Sequence, residues 1–250
     1  MEREIDLRKA AFQHIEMEMF FTGDFALRTV NGAADAGTGE SGGGEDNVAA
    51  DGVKEELERI AREACECRRC ELGSTRTHGV PGEGDCRARL VFVGEAPGAD
   101  EDAQGRPFVG RAGQLLEKMI NAMGLKRNDV FICNILKCRP PDNRDPRPEE
   151  IISCLPFLRE QLELIKPEII VALGAHAART LLNTNLAIGK LRGRFHEYYP
   201  SEESAPVKLM ATYHPAYLLR NYSQDNRRRV WEDMKQVMAE MGMETHEGRK

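Results

Sequence analysis

The sequence predicts an α/β fold of three layers, an αβα sandwich with helices on both sides of a central, mostly parallel four-stranded sheet. Three observations carry that expectation. Short apolar runs alternate with helical stretches from residue 89 onward, and glycine or proline punctuates the switches. The runs also deliver Gly94, Asn134 and His214 to strand ends, where open α/β sheets hold their ligands.

Taken in order, residues 7–21 have a weak amphipathic helical pattern. Residues 31–51 (NGAADAGTGESGGGEDNVAAD) are rich in glycine, alanine and acid with almost nothing to bury, which predicts a disordered linker. Residues 53–63 (VKEELERIARE) place Val53, Leu57 and Ile60 on one helical face and lead into Cys67 and Cys70. Residues 90–93 (LVFV) read as a strand ending in the glycine-rich turn GEAPG, Gly94 to Gly98. A helix follows over residues 114–123, closed by Gly124. Residues 130–134 (VFICN) are the next strand. Pro148, with Glu149 and Glu150 in the first turn, opens a helix that carries Cys154 and stops before Pro167. Residues 169–173 (IIVAL) are a third strand, and Gly174 begins a helix through Leu182. Residues 208–212 (KLMAT) are a fourth strand running into Tyr213-His214-Pro215, and a last helix covers residues 226–241. The chain thus divides into an acidic extension over residues 1–52, one folded unit over 53–243 and a disordered tail over 244–250.

At 250 residues, 41% hydrophobic and 30% charged, the chain can bury one sizeable core. No stretch approaches the roughly 20 apolar residues of a membrane span, and MEREIDLRKAAFQHIE has no apolar signal core. The expectation is a soluble cytoplasmic monomer. The net charge of −6 is unevenly placed: residues 1–51 hold 4 Lys/Arg and 11 Asp/Glu, against 31 and 30 in the other 199. The body is therefore near neutral, and basic residues crowd its loops at Lys137, Arg139, Arg144 and Arg147, at Lys190, Arg192 and Arg194, and at Arg220 and 227–229. Such runs either hold phosphates or simply solvate the surface.

Seven cysteines without a secretory context read as reduced thiols. Cys67 and Cys70 form a C-x2-C pair, with Cys138 and Cys154 far downstream. That spacing fits a metal or iron–sulfur centre held by four thiolates better than the paired C-x2-C pattern of zinc sites, the alternative being four ordinary buried thiols. Cys65, Cys86 and Cys133 are then spares. GEAPG is not a Walker A loop, since no Gly-Lys-Ser/Thr follows, and it lacks the third glycine of the dinucleotide fingerprint. Alone, it requires only a sharp turn or a close backbone approach. His214 before a proline fits a capping or packed histidine as readily as a catalyst.

Together the motifs resemble one family. GEAPGADED at residues 94–102, GRPFVGRAGQLL at 105–116, CNILKCRPPDNR at 133–144 and YHPAYLLRN at 213–221 are similar to the thermostable iron–sulfur uracil-DNA glycosylases, family 4. The cysteine pattern agrees, and the resemblance covers residues 54–242. It implies the glycosylase-type αβα fold and a [4Fe-4S] cluster on Cys67, Cys70, Cys138 and Cys154. The implied partner is uracil-containing DNA, single- or double-stranded, with uracil released in base-excision repair. By the same resemblance Phe108 stacks on the flipped base, Asn134 reads the uracil edge, and His214 donates to the departing uracil as a neutral imidazole. Backbone around Gly94, Ala96 and Gly98 lines the pocket. Arg139 and Arg220 hold phosphates, and Pro215, Tyr217, Leu218 and Leu219 enter the minor groove as a wedge.

Two departures from the wider superfamily stand out. Ala96 occupies the place of its water-positioning aspartate, which makes Glu95 the candidate for that role. The tyrosine that excludes thymine is missing, leaving Glu101 to fill the space, or Glu101 and Asp102 to cap a helix. Two other readings are a related branch that forms a covalent adduct with DNA and an inert iron–sulfur DNA-binding module. The first requires a histidine-bearing basic loop after GRPFVG, whereas here Gly110-Arg111-Ala112-Gly113 runs directly into a helix.

Overall fold

The structure, a computed structural model, describes residues 43–243. The amphipathic pattern at 7–21, most of the expected extension and the tail at 244–250 lie outside the described residues. Helix α1, Gly43–Glu66, begins well before residue 53, so the end of the expected linker is helical. It presents Leu57, Ile60 and Ala64 to the body and delivers the chain to Cys67. A short helix α2, Leu72–Thr75, and a two-residue strand β1, Glu83–Gly84, precede β2, Leu90–Gly94. Helices α3, Ala99–Gln104, and α4, Arg111–Ala122, lead to β3, Phe131–Asn134. Then follow α5, Pro148–Ile165; β4, Ile169–Leu173; α6, Ala175–Leu182; and α7, Ile188–Leu191. Strands β5, Phe195–Tyr198, and β6, Val207–Thr212, and helices α8, Pro215–Arg220, and α9, Gln224–Glu240, complete the described chain.

The sheet has six strands rather than four, in the order β1-β3-β2-β4-β6-β5. The four expected strands form the parallel centre. The two that were missed, β1 and β5, are antiparallel edges. Their sequences hide them, because Glu83–Gly84 is too short to show a period and Phe-His-Glu-Tyr at 195–198 is only half buried.

Alternation along the central strands sorts the core into two layers. Val91, Val93, Cys133, Ile170, Ala172, Leu209 and Ala211 face α1, α5 and α6, while Leu90, Phe92, Ile132, Val171, Leu173 and Met210 face α4 and α9. Both faces of β2 and β4 are fully buried, which explains runs as unbroken as LVFV and IIVAL. The chain leaves β2 and β6 toward one layer and β3 and β4 toward the other, so a crevice opens beyond their carboxyl ends. Asp233 of α9, wholly buried, accepts hydrogen bonds from Thr212 Oγ1 at 2.6 Å and from Arg192 at 2.7 and 3.1 Å. It thereby fixes the last residue of β6, two positions before His214.

Candidate active site

Four strand ends meet in the crevice. The loop after β3 is pinned to the loop after β2 by Ile135 N–H donating to Gly94 O at 2.9 Å and Leu136 N–H donating to Glu95 O at 3.0 Å. Across the sheet, Gly174 N–H donates to Thr212 O at 2.9 Å. Gly94 is glycine because a Cβ there would lie 2.3 Å from Asn134 Oδ1 and 2.6 Å from Phe108 Cζ. Gly174, at φ +92°, is the same device beside His214, whose Cβ would be 3.0 Å from a methyl group at that position. The rings of Phe108 and His214 stack with centroids 5.7 Å apart. Phe108, Asn134 and His214 thus share one recess.

His214 is a cap and is also set for chemistry. Its Nδ1 accepts the Ala216 N–H at 3.0 Å, closing the first turn of α8. A nitrogen that accepts carries no proton, so the neutral ring holds its hydrogen on Nε2. Burial, helped by the nearby Arg220 charge, pulls the His214 pKa down to about 4, so the imidazole is neutral at physiological pH. Asn134 is 2% exposed, and its Oδ1 has no hydrogen-bond partner among the described residues. A buried acceptor left unpaired costs about 1–3 kcal/mol and calls for an incoming donor.

Phe108 is held in a left-handed backbone conformation, φ +50°, which for a non-glycine residue stores about 1 kcal/mol or more and needs support. The support is dense. Glu101 Oε1 accepts from Val109 N–H and Gly110 N–H, each at 2.9 Å, and Glu101 Oε2 accepts from Gly98 N–H at 3.1 Å. Arg127 donates to the carbonyls of Pro107 and Phe108 and pairs with Glu83 at 2.6 Å. Gly113 admits the Phe108 carbonyl where any side chain would collide at 1.9 Å. Arg127 and Glu83 lie outside the quoted motifs and were not anticipated; Gly113 lies within GRPFVGRAGQLL, but its close approach to Phe108 is not readable from the motif. Replacing Arg127 by alanine is expected to cost about 2 kcal/mol in denaturant unfolding. Because the Phe108 loop loosens, KM for a uracil oligonucleotide should rise more than kcat falls.

Several expectations need correction here. The Glu101 carboxylate is consumed by three backbone amides, so it shapes the loop and caps α3 rather than filling the pocket. The Gly98 amide is committed to Glu101 and is not a free donor. Asp102 is buried and accepts from Thr77 N–H at 2.9 Å, tying α3 to the segment after α2. The wedge is a helix, α8, from which Pro215 and Leu218 turn into the body while Tyr217, Leu219 and Arg220 face outward. Most of the basic runs are engaged within the protein: Arg144 pairs with Glu150, Arg147 with Glu71, Arg192 with Asp233, and Arg228 and Arg229 with Asp225. Arg139 is half-buried and donates to Asn143 Oδ1 at 2.7 Å. Helix α4 starts at Arg111 directly after Gly110, leaving no inserted loop.

On the other side of the GEAPG turn, the half-buried Glu95 carboxylate lies 4.0 Å from His176 Nε2, and His176 Nε2 lies 3.6 Å from Asp145 Oδ2. Burial pushes Glu95 above the usual carboxylate range; Asp145 adds to the rise, and His176 and Arg220 oppose it. Ala96 packs against the core layer of α1 and α5.

Cys67, Cys70, Cys138 and Cys154 line one recess between α1 and α5, floored by Ala64 and Phe157. Three of their sulfurs accept hydrogen bonds: Cys138 from Arg76 Nη1 at 2.9 Å, Cys154 from Lys137 N–H at 3.1 Å and Cys67 from Arg69 N–H at 3.4 Å. Donors of this kind favour thiolate. Burial above all, with the neighbouring Cys138 and Cys67 thiols adding to it and Lys137 opposing it, pushes the Cys154 thiol up to about 11, so a positive centre is what would hold the sulfurs ionised. Among the described residues no three of these thiols lie within 4.8 Å of one another. Four thiols around one recess are a donor set for a metal or iron–sulfur centre. Lys137 links this recess to the crevice: its buried ammonium donates to Asn134 O at 3.0 Å and to Gln161 Oε1 at 2.7 Å. Cys133 is buried elsewhere, and Cys65 is exposed.

Comparison with known proteins agrees with this geometry. Residues 81–235 match the uracil DNA glycosylase superfamily. A type-4 uracil-DNA glycosylase of Thermotoga maritima is 47% identical over 75% of this chain and 96% of its own length. Those of Archaeoglobus fulgidus and Saccharolobus solfataricus are 48% and 45% identical, over 66% and 72% of this chain and 84% of each relative. A fold, a crevice and a four-cysteine recess of this kind, with relatives so similar over so much of the chain, place it in one group: the chain belongs to the type-4 uracil-DNA glycosylases of the uracil DNA glycosylase superfamily.

Proposed function

We propose that this protein is a uracil-DNA glycosylase that extrudes deoxyuridine from single- or double-stranded DNA. It hydrolyses the N-glycosidic bond, releases uracil and leaves an abasic site for base-excision repair. The observation that carries the reading is the unpaired Asn134 Oδ1, buried beside Phe108 and a histidine whose proton sits on Nε2. Uracil presents an N3–H donor to that acceptor. Cytosine presents a lone pair at N3 and would leave two acceptors facing each other, a mismatch that polar pockets reject by about 10⁴-fold or more.

Extrusion costs a few kcal/mol of lost stacking, which Phe108 offsets by stacking on the base in the pocket. Bond cleavage then puts positive charge on the sugar and negative charge on uracil. His214 Nε2–H, fixed in place before reaction, stabilises the charge at uracil O2. Glu95 positions the water that attacks C1′. Arg220 and Arg139 take phosphates, and Tyr217 and Leu219 press into the groove opened by the extruded base. The catalytic unit is assigned to residues 53–243, acting as a monomer.

We assign a [4Fe-4S] cluster to Cys67, Cys70, Cys138 and Cys154. When bound, it supplies a crosslink among α1, the loop after β3 and α5. Through Lys137 the residues of that loop hold Asn134 in register. Hydrolysis moves no electrons, so the reaction itself asks only for this positional role.

The test uses one oligonucleotide sequence carrying U, C or T at a single position. Uracil alone should be released, and Asn134→Ala should lower release while narrowing the preference over cytosine. Equal release of uracil and cytosine by the wild-type protein, or none of either, would overturn the assignment.

A further inference from the structure

Glu95 does not stand alone. His176, in the first turn of α6, turns its Nε2 edge toward two carboxylates, Glu95 at 4.0 Å and Asp145 at 3.6 Å, and these three groups share one small volume. They come from three separate connections, those that follow β2, β3 and β4, with His176 in the helix after β4. The Glu95 carboxylate is half-buried, which by itself disfavours ionisation, and a like charge at Asp145 adds to that. The opposing groups are His176 and Arg220. Arg220 sits on α8, the helix assigned to DNA, where a phosphate will compete for its charge. His176 then remains as the dedicated counter-charge to Glu95.

We propose that His176 is a positioning residue for the water-activating carboxylate of Glu95, with Asp145 at the rim as a second carboxylate beside the same Nε2. This deepens the glycosylase reading and rests on it. The C1′–N1 bond breaks with its electron pair leaving on uracil, and the water oxygen bonds to C1′. The water's proton passes to Glu95, which returns it to solvent as uracil takes one up, so atoms and charge balance. His176 touches neither substrate nor water. It keeps Glu95 ionised and aimed inward, where the proton must go.

The experiment is single-turnover uracil release from a single-stranded oligonucleotide between about pH 5 and 9, a range in which histidines ordinarily change charge. Far-UV circular dichroism follows folding at each point. Four proteins are compared: wild type, His176→Ala, His176→Lys and Glu95→Gln. Wild type should lose rate on the acid side as Glu95 protonates. Removing the counter-charge in His176→Ala should move that limb to higher pH by about half a unit to one unit, as partly exposed pairs allow. A permanent cation in His176→Lys should move it to lower pH, and Glu95→Gln should be slow with no limb. A purely structural role for His176 would change folding, not shift the limb in opposite directions. If the limb stays fixed in both His176 variants while Glu95→Gln removes it, the inference is wrong and the glycosylase reading stands. If the wild-type protein releases no uracil at any pH, the parent reading fails instead.

Discussion

His214→Ala is expected to slow uracil release by about 10²- to 10³-fold, the cost of removing one donor aimed at a developing oxyanion, with KM nearly unchanged. The size follows from preorganisation. Ala216 N–H occupies Nδ1, so the Nε2 proton is committed before substrate arrives, and Phe108 and Gly174 fix the plane of the ring. No rotation or proton transfer is needed at the moment the bond breaks. A drop below tenfold would mean that the leaving group is stabilised from somewhere else in the crevice. The variant should remain folded, losing about 1 kcal/mol with the cap.

The same residue makes stability depend on pH. The His214 pKa is lowered to about 4 in the folded protein, against about 6.5 for an unfolded chain. A base with a depressed pKa gives stability that is complete above the unfolded value and is lost as pH falls toward the folded one. Wild type should therefore lose about 2 to 3 kcal/mol between pH 6.5 and 4 that His214→Ala does not lose, a difference read from denaturant melts at each pH.

Local pattern was enough to find the parallel centre of the sheet, because strands buried on both faces are written as unbroken apolar runs with glycine after them. The edges were not legible: β1 is two residues long, and β5 mixes Phe195 and Tyr198 with His196 and Glu197. Residues of the crevice that lie in motifs, such as Asn134 and His214, were named from the letters. Their supports were not. Arg127 and Glu83 act on Phe108 only because β1 folds back on β3, and His176 reaches Glu95 only because β4 lies beside β2. Such pairs are products of topology and leave no spacing to read. The converse error has the same origin: Leu218 and Arg192 look like surface residues in sequence, yet one completes the core beneath α4 and the other is spent on Asp233. A basic run records charge but not its partners.

Cys138→Ala is expected to remove both the iron–sulfur chromophore and at least about 3 kcal/mol of stability. That corresponds to a fall in Tm of roughly 6–12 °C for a domain of this size. The argument rests on where Cys138 sits. It follows the buried Lys137, whose amide serves Cys154 and whose ammonium serves Asn134, and it accepts from Arg76, which also gathers the carbonyls of Ala64, Cys65 and Cys67. Losing the anchor at Cys138 therefore frees the ends of α1 and of the β3 loop together, and Asn134 loses its register with Gly94. Uracil release should fall further than stability alone accounts for, when compared at a temperature where the variant is fully folded. Cys133→Ala is the control, because Cys133 is also buried and adjacent to Asn134 but is not one of the residues that line the four-thiol recess. It should keep iron at the wild-type ratio and most of its activity. Equal iron content in the two variants would show that the four-thiol recess is not where the metal binds.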